Sequence, residues 1–112
     1  MFYADIPVAN FTISDAAKRG IDLVREAFNA RSSEPAALAC IGWGRLTPHS
    51  GPPSENVVVS FYGQSYVSQV AKAIQNVSGV KVVFFASPKD YPKFNGKVLD
   101  FAAARGFFLR EP

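Results

Sequence analysis

The C-terminal third of the chain constrains the fold most, because it holds three apolar runs separated by turn-forming residues. The first run, Val80–Phe85, is long enough for one buried strand and too short for a helix. Asn95-Gly96 tolerates positive φ, so we predict a tight hairpin turn there, followed by a short strand over Lys97–Phe101. Gly106 breaks the chain again before the third run, Phe107–Leu109. This region therefore predicts compact all-β structure.

An amphipathic helix is predicted near the N-terminus, over Asp15–Asn29. Ser14 is a good N-cap, and the carboxylate of Asp15 meets the positive end of the helix dipole. Apolar side chains recur on one helical face at Ala17, Ile21, Val24 and Phe28. Gly20 weakens this helix by about 1 kcal/mol relative to alanine, which tertiary packing can offset. We therefore expect the helix to cap an apolar surface.

The middle of the chain predicts two strands joined by a long loop. Strands are expected over Ala37–Trp43 and Asn56–Tyr62, since the second alternates apolar and polar residues. Between them, Leu46–Glu55 contains three prolines, a glycine and two serines in ten residues, which is typical of a surface loop. Loops of this length are more often functional than shorter connections are.

Several ordered motifs give the chain a family resemblance. They are Gly79-Val80-Lys81-Val82-Val83, Phe94-Asn95-Gly96, Asp100-Phe101, Gly106-Phe107 and Pro112, together with Ser14-Asp15-Ala16-Ala17 at the start of the helix. In this order the chain resembles the HesB-like domain of A-type iron–sulfur cluster assembly proteins, whereas Arg45–Gln75 matches that pattern poorly. The resemblance implies an α+β fold in which an N-terminal helix caps a mainly antiparallel β-sheet or pseudo-barrel.

Residues 65–77 support two interpretations. Val67, Val70, Ala71 and Ile74 are spaced as on one helical face, which would make a strand–helix–strand (βαβ) unit of residues 57–85. The resemblance instead pairs Ala73–Val77 with Val80–Phe84 across Ser78-Gly79 as a β-hairpin. We favour the hairpin for residues 73–85, with a helical turn before it.

The resemblance also implies where cluster ligands would lie. The family uses one cysteine in a Gly-Cys-Ser-Gly-like loop and a Cys-x-Cys pair in a tail after the last strand, but this sequence has one cysteine and reaches Pro112 where that tail would begin. His49-Ser50-Gly51 falls near the loop position, so His49 is a weak candidate for a metal ligand, although one histidine cannot hold a metal alone. Cys40 lies earlier, in an apolar run, and we expect it to be buried on a strand. No bound cofactor is expected.

Composition fits a single globular domain over residues 1–112. With 48% hydrophobic and 19% charged residues, the chain is neither disordered nor membrane-spanning by composition. The first residues do not have the basic segment and apolar run of a secretory signal peptide, and no apolar run is long enough to cross a bilayer. We therefore expect a cytoplasmic protein with no membrane partner.

Candidate catalytic groups are few. Asp90 follows Pro88 and is expected to close a turn, whereas Asp100 could be half-buried and perturbed, with a side-chain bond to a neighbouring turn as the preferred role. Gly42-Trp43-Gly44 is half of a dinucleotide fingerprint without a following helix, so we interpret it as a strand or bulge feature. There is no Gly-x-Ser-x-Gly motif. These residues predict no catalytic site.

Basic residues are concentrated in the second part of the chain. Residues 71–112 contain seven lysines and arginines against three acids, and they also contain most of the phenylalanines. This mixture permits weak nucleic-acid binding, but an excess of this size is ordinary for a protein surface, so we do not expect it. The same lysines could bind an acidic protein partner, and exposed strand edges would allow a homodimer.

Three functional hypotheses follow. The preferred one is a non-enzymatic HesB-like protein that does not ligate a cluster and acts as a binding or adaptor module. The first alternative is a small α/β ligand-binding protein or enzyme with a site at the 46–55 loop, where His49 would serve as general base. The second alternative is a weak nucleic-acid binder that uses the basic C-terminal half.

Overall fold

The computed structural model describes residues 7–31, 33, 36–46 and 54–112. Two helices and seven strands lie in these ranges. In chain order they are β1 (Thr12–Ile13), α1 (Asp15–Arg31), β2 (Ala36–Leu46), β3 (Ser54–Gly63), α2 (Val67–Val70), β4 (Ile74–Val77), β5 (Val80–Phe85), β6 (Val98–Ala102) and β7 (Gly106–Arg110). Short 3-10 helices flank α2 at Gln64–Tyr66 and Ala71–Ala73, and another spans Tyr91–Phe94. The predicted loop residues 47–53, with His49, lie outside the described ranges.

The strands form two mixed sheets. One has the order β1-β6-β7 and the other has the order β3-β2-β5-β4. Three of the pairings are antiparallel, whereas β1 pairs with β6 and β2 pairs with β5 in parallel. The prediction of an α+β fold with an N-terminal helix on a mainly antiparallel sheet is confirmed. Over the described residues, the two sheets do not close into a barrel.

Helix α1 begins at the predicted cap. The backbone N–H of Ala17 donates to Ser14 Oγ at 3.1 Å, and the N–H of Lys18 donates to the Ser14 carbonyl at 3.0 Å. The predicted apolar face is buried at its N-terminal end, where Ala17 and Ile21 are almost fully covered, and half-buried at Val24 and Phe28. The helix packs chiefly against β6.

The strands β2 and β5 lie at the centre of the larger sheet and are covered on both faces. Ala39 and Ile41 of β2 and Val82 and Phe84 of β5 point into the main core beneath α1. On the opposite face, α2 and the turn after it cover a smaller apolar cluster, which consists of Leu38, Val70, Ala73 and Val83. Burial on both faces explains why the sequence of β5 is a continuous apolar run rather than an alternating one.

The hairpin predicted before β5 is confirmed. β4 pairs antiparallel with β5, and Ser78-Gly79 connects them with φ values of 53° and 86°, as a type I′ turn requires. The helical turn expected before it is α2. The alternative βαβ unit is wrong, because β3 is antiparallel to β2 and β2 is parallel to β5, so β3 and β5 run in opposite directions.

The hairpin predicted at Asn95-Gly96 is wrong, although a turn does form there. Asn95 has φ −59° and ψ 119°, Gly96 has φ 71°, and the N–H of Lys97 donates to the Phe94 carbonyl at 3.0 Å, which is the geometry of a type II turn. The residues before it form a 3-10 helix instead of a strand, because Pro92 favours the first turn of a helix and cannot donate to a ladder. The C-terminal hairpin is therefore β6–β7.

Gly20 marks the closest approach of α1 to the smaller sheet. A methyl group built on Gly20 would lie 2.5 Å from the ring of Phe101 on β6. Real side chains do not approach so closely, so the ring occupies the space that any other residue would need. This contact is the packing that offsets the poor helix propensity of glycine.

We expect Gly20→Ala to destabilise the protein by about 1 to 3 kcal/mol, although alanine is the better helix former. Urea denaturation measures the change in unfolding free energy. Combining it with Phe101→Leu should cost less than the sum of the two single changes, because the smaller side chain makes room for the methyl group. An increase in stability for Gly20→Ala alone would contradict the packing described.

Candidate functional site

The Asp100 carboxylate joins three elements. Its Oδ1 accepts hydrogen bonds from Ser14 Oγ at 2.7 Å and from the backbone N–H of Phe101 at 2.9 Å. Its Oδ2 accepts from Arg110 Nε at 2.6 Å. The pKa of Asp100 lies at about 2, against a usual value of 3.8. The largest cause is the hydrogen bond from the Arg110 guanidinium, followed by those from the Ser14 hydroxyl and the Phe101 N–H.

This arrangement corrects part of the sequence interpretation. Asp100 is perturbed, as expected, and its side chain is mostly covered, but its bonds reach the cap of α1 and a residue of β7 rather than a neighbouring turn. Ser14 uses its hydroxyl twice, since Oγ accepts from Ala17 while donating to Asp100. An ionised carboxylate that is engaged in this way is a poor proton donor or base at neutral pH.

Asp90 closes the turn that precedes the 3-10 helix, as predicted. Its Oδ2 accepts from Ser87 Oγ at 3.1 Å, and its backbone N–H donates to the Ser87 carbonyl at 2.9 Å. Lys93 Nζ donates to Asp90 Oδ1 at 2.9 Å, and this bond is the main reason why the pKa of Asp90 lies below its usual value. The carboxylate is therefore used to shape the turn.

Lys93 links this turn to the larger sheet. Its ammonium lies 4.8 Å from the ring centroid of Trp43 and 3.4 Å from Glu55 Oε2. The hydrogen bond to Asp90, followed by that to Glu55, raises the pKa of Lys93. Trp43 also packs edge-on against Phe94, with centroids 5.9 Å apart. The contacts of Lys93 and Trp43 therefore join β2 and β3 to the 3-10 helix Tyr91–Phe94.

Gly42-Trp43-Gly44 lies within β2, so its interpretation as a strand feature is confirmed. The two glycines are on the face opposite to Trp43. A methyl group on Gly42 would lie 3.1 Å from the Phe85 carbonyl oxygen, and one on Gly44 would lie 2.7 Å from a methyl carbon of Val58. The glycines therefore serve close packing of neighbouring strands.

Cys40 lies on β2, as expected, but it is half-buried rather than fully buried. Burial raises the pKa of its thiol, and side-chain hydrogen bonds with Tyr62 and Ser60 offset only part of that increase. A thiol of this kind is largely protonated at neutral pH and is a weak nucleophile and metal ligand. Over the ranges that the structure covers, no three His, Cys, Asp or Glu side chains come together as a metal site.

The cations between residues 71 and 112 are partly engaged within the molecule. Lys93, Lys97 and Arg110 form ion pairs with Asp90, Glu111 and Asp100. The Arg105 guanidinium lies 4.0 Å over the centroid of the Phe108 ring. Fewer cations are therefore available to bind a polyanion than the seven lysines and arginines of residues 71–112 would suggest. None of the described helices has the length and apolar character needed to cross a membrane.

An open groove lies where the segment Pro7–Asn10 runs past β4 and the Ser87–Phe94 turn. The groove has a volume of about 610 Å³ and is lined mainly by apolar atoms of Pro7, Val8, Ala86, Pro88 and Tyr91. Tyr91 packs against the buried ring of Phe84, with centroids 6.2 Å apart, and its hydroxyl donates to the Val8 carbonyl at 2.8 Å. A groove of this size and character is suited to an apolar ligand group.

Sequence reasoning did not find this groove. Its lining residues come from two segments about eighty positions apart, and neither has a recognisable binding motif. The local signal in Ser87–Pro92 is its content of proline and tyrosine, and this content by itself indicates a turn rather than a groove. Comparison with protein-family models and with curated proteins finds no match to the chain. Kinship with the HesB-like domain family therefore stays a prediction.

We expect the stability of the protein to fall with pH as Asp100 becomes protonated. Because its pKa is about 2 in the folded state and near 3.8 when unfolded, its contribution is present above pH 3.8 and is lost as the pH falls through 2. Asp100→Asn should lower the unfolding free energy by about 1.5 kcal/mol at neutral pH, and this loss should shrink through that window. Urea denaturation at a series of pH values measures both effects.

The matched control is Asp22→Asn, which changes an exposed carboxylate on α1 that pairs with Arg25. Its stability should follow that of the unchanged protein across the same pH range. If Asp100→Asn and Asp22→Asn have the same pH dependence, the carboxylate of Asp100 does not have the role described.

Proposed function

We propose that this chain is a non-catalytic binding module, related to A-type iron–sulfur cluster assembly proteins, that does not itself ligate a cluster. The observation that carries the proposal is that the Asp100 side chain has a structural role. It is the described carboxylate with the largest pKa displacement, and its bonds fasten the helix cap to two strands. Perturbed ionisable groups mark active sites in many enzymes, but here the perturbation has a structural cause.

The proposed kinship is supported by three features of the fold. The hairpin β4–β5 occurs where the resemblance requires one. The motif Phe94-Asn95-Gly96, which contributes to the resemblance, forms a type II turn with Lys97. Asp100, in the motif Asp100-Phe101, has a structural role through its bonds to Ser14 and Arg110.

The proposed loss of cluster binding rests on the thiol chemistry of this chain. Iron–sulfur clusters are held by several thiolate or imidazole ligands, and this chain has one cysteine and one histidine. The cysteine is half-buried with a raised pKa, so it does not present a ready thiolate. The kinship supplies the rest of the proposal. We infer that the chain acts as a binding or adaptor module for a protein partner in the cytoplasm, where thiols stay reduced.

The alternative functions have less support. The enzyme hypothesis needed a βαβ unit, which the opposite directions of β3 and β5 exclude, and His49 lies outside the described residues. The nucleic-acid hypothesis needed cations that are instead partly paired within the molecule.

Anaerobic reconstitution with iron and sulfide tests the proposal. After desalting, we expect the protein to retain neither visible absorbance nor stoichiometric iron, because one protonated thiol cannot replace a ligand set. Cys40→Ser is the matched control and should give the same spectrum as the unchanged chain. A coloured, iron-containing protein that survives desalting would overturn the proposal, and its loss in Cys40→Ser would identify the ligand.

A further inference from the structure

The strand β3 is an edge of the larger sheet, because β2 pairs with one side of it and no described strand pairs with the other. Residues 56–62 of this strand, with the sequence NVVVSFY, contain no charged residue and no proline. Edge strands of soluble proteins are usually short, or they carry charges, prolines or bulges that prevent pairing with another chain. The register of β3 with β2 is regular from Leu46 to Leu38, so a bulge is missing there as well. This edge is therefore suited to pairing.

The backbone groups of Val59 and Phe61 face away from β2. In an antiparallel pair, alternate residues bond to the partner strand and the others face outward. The Val57 N–H donates to Oδ1 of its neighbour Asn56 at 2.8 Å, so Val57 belongs to the outward set. Since the register is regular, Val59 and Phe61 belong to the same set. Among the described residues, no hydrogen bond outside the sheet is found for either backbone, so their N–H and C=O groups are open.

The pairing on the other side of β2 gives the same assignment. The β4–β5 hairpin has a two-residue turn, so Val82 bonds to β4 and Val83 faces β2. In the parallel pairing of β2 with β5, Ile41 is then the residue that bonds to β5, and its neighbour Cys40 faces β3. Cys40 lies opposite Ser60, which therefore bonds to β2. The odd-numbered residues of β3 are thus the outward ones.

Helix α1 covers one face of β3 but does not bond to its edge. The Phe28 ring lies 6.1 Å from the Phe61 ring, between centroids, and the Arg25 guanidinium lies 5.6 Å from the Phe61 centroid. Both contacts involve the side chain of Phe61 rather than its main chain. Ser60 points to the opposite face and is exposed.

We propose that the β3 edge binds the β3 edge of a second copy of this chain, antiparallel and about a two-fold axis at Ser60. Val59 of each copy would exchange two main-chain hydrogen bonds with Phe61 of the other, which uses all the open groups of these residues. The two larger sheets would then form one continuous sheet through an isologous contact. This inference goes beyond the proposed function and does not depend on it.

The residues of β3 favour a register with Ser60 on the axis. Valine then lies opposite an aromatic residue at each neighbouring position, since Val59 meets Phe61 and Val58 meets Tyr62. Such pairs stabilise a sheet, and no like charges meet within residues 56–62. A shift of the axis to Val59 would place Phe61 opposite Val57, whose N–H is already bonded to Asn56. The strand is therefore complementary to itself in one register.

Sedimentation equilibrium of the full chain at a series of concentrations tests the dimer. We expect the unchanged chain to dimerise reversibly. Ser60→Lys would place two ammonium groups directly opposite each other and should raise the dimer dissociation constant by at least about tenfold, as should Ser60→Glu. An equimolar mixture of Ser60→Lys and Ser60→Glu should dimerise more tightly than either variant alone, because opposite charges then meet at the axis. Only a contact between the two copies of residue 60 gives this result.

Ser68→Lys is the matched control, since it adds the same charge at an exposed serine of α2 and should dimerise as the unchanged chain does. Amide hydrogen exchange of the unchanged chain is a second measurement and needs no variant. Protection of the Val59 and Phe61 amides should increase with protein concentration. Circular dichroism establishes that each variant is folded.

A chain that stays monomeric at millimolar concentration would overturn the proposal, as would a folded Ser60→Lys that dimerises as tightly as the unchanged chain. A mixture of the two charged variants that binds no better than either one would overturn the register at Ser60. Iron reconstitution does not depend on these outcomes, so failure of the dimer is distinguishable from failure of the proposed function.

Discussion

The hydrogen bonds of the Asp100 carboxylate join the start of α1 to the last hairpin, next to the β1–β6 and β6–β7 pairings that bring these parts of the chain together. Ser14 begins α1, whereas Asp100 and Arg110 belong to the last hairpin, and 86 positions separate Ser14 from Asp100. Because Ser14 also caps the helix, the orientation of α1 is set by the same hydroxyl that contacts β6. The contact between Gly20 and Phe101, less than two helical turns further on, then fixes the distance between helix and strand. These two contacts add to the β1–β6 pairing and to the buried face of α1 in docking the helix on the smaller sheet.

The sequence predicted those elements whose local signals agree with their packing. Helix α1 has a cap and a consistent apolar face, and both are used in the structure. The strand Val80–Phe85 is apolar throughout because the core covers one face and α2 covers the other. Residues 65–77 gave two conflicting patterns because both are present in turn: α2 ends at Val70, and the hairpin strand begins at Ile74. A short helix and a short strand in succession satisfy each pattern only in part.

The candidate site was much less predictable, since its contacts are long-range and involve common residue types. Nothing local in the sequence pairs Gln75 with Pro7, or Tyr91 with Val8. The turn at Asn95-Gly96 was recognised from its composition, but the neighbouring Pro92 decided that a 3-10 helix precedes it. The turn propensity of Asn95-Gly96 therefore predicts the turn. The position of Tyr91 beside the N-terminal segment depends instead on tertiary packing.

At two places in the described part of the chain, a side chain of the larger sheet bonds to a backbone group of the smaller one. Asn56 on β3 accepts from its neighbour's N–H and donates to the Phe107 carbonyl on β7, and Ser78 accepts from the Ile13 N–H of β1. Such bonds satisfy single backbone groups of the edge strands β1 and β7 without extending either sheet. Gln75 on β4 bonds in the same way to the backbone of Ala9 and Pro7. The Gln75 amide thus ties the N-terminal segment to the larger sheet through two hydrogen bonds without adding a strand to that sheet.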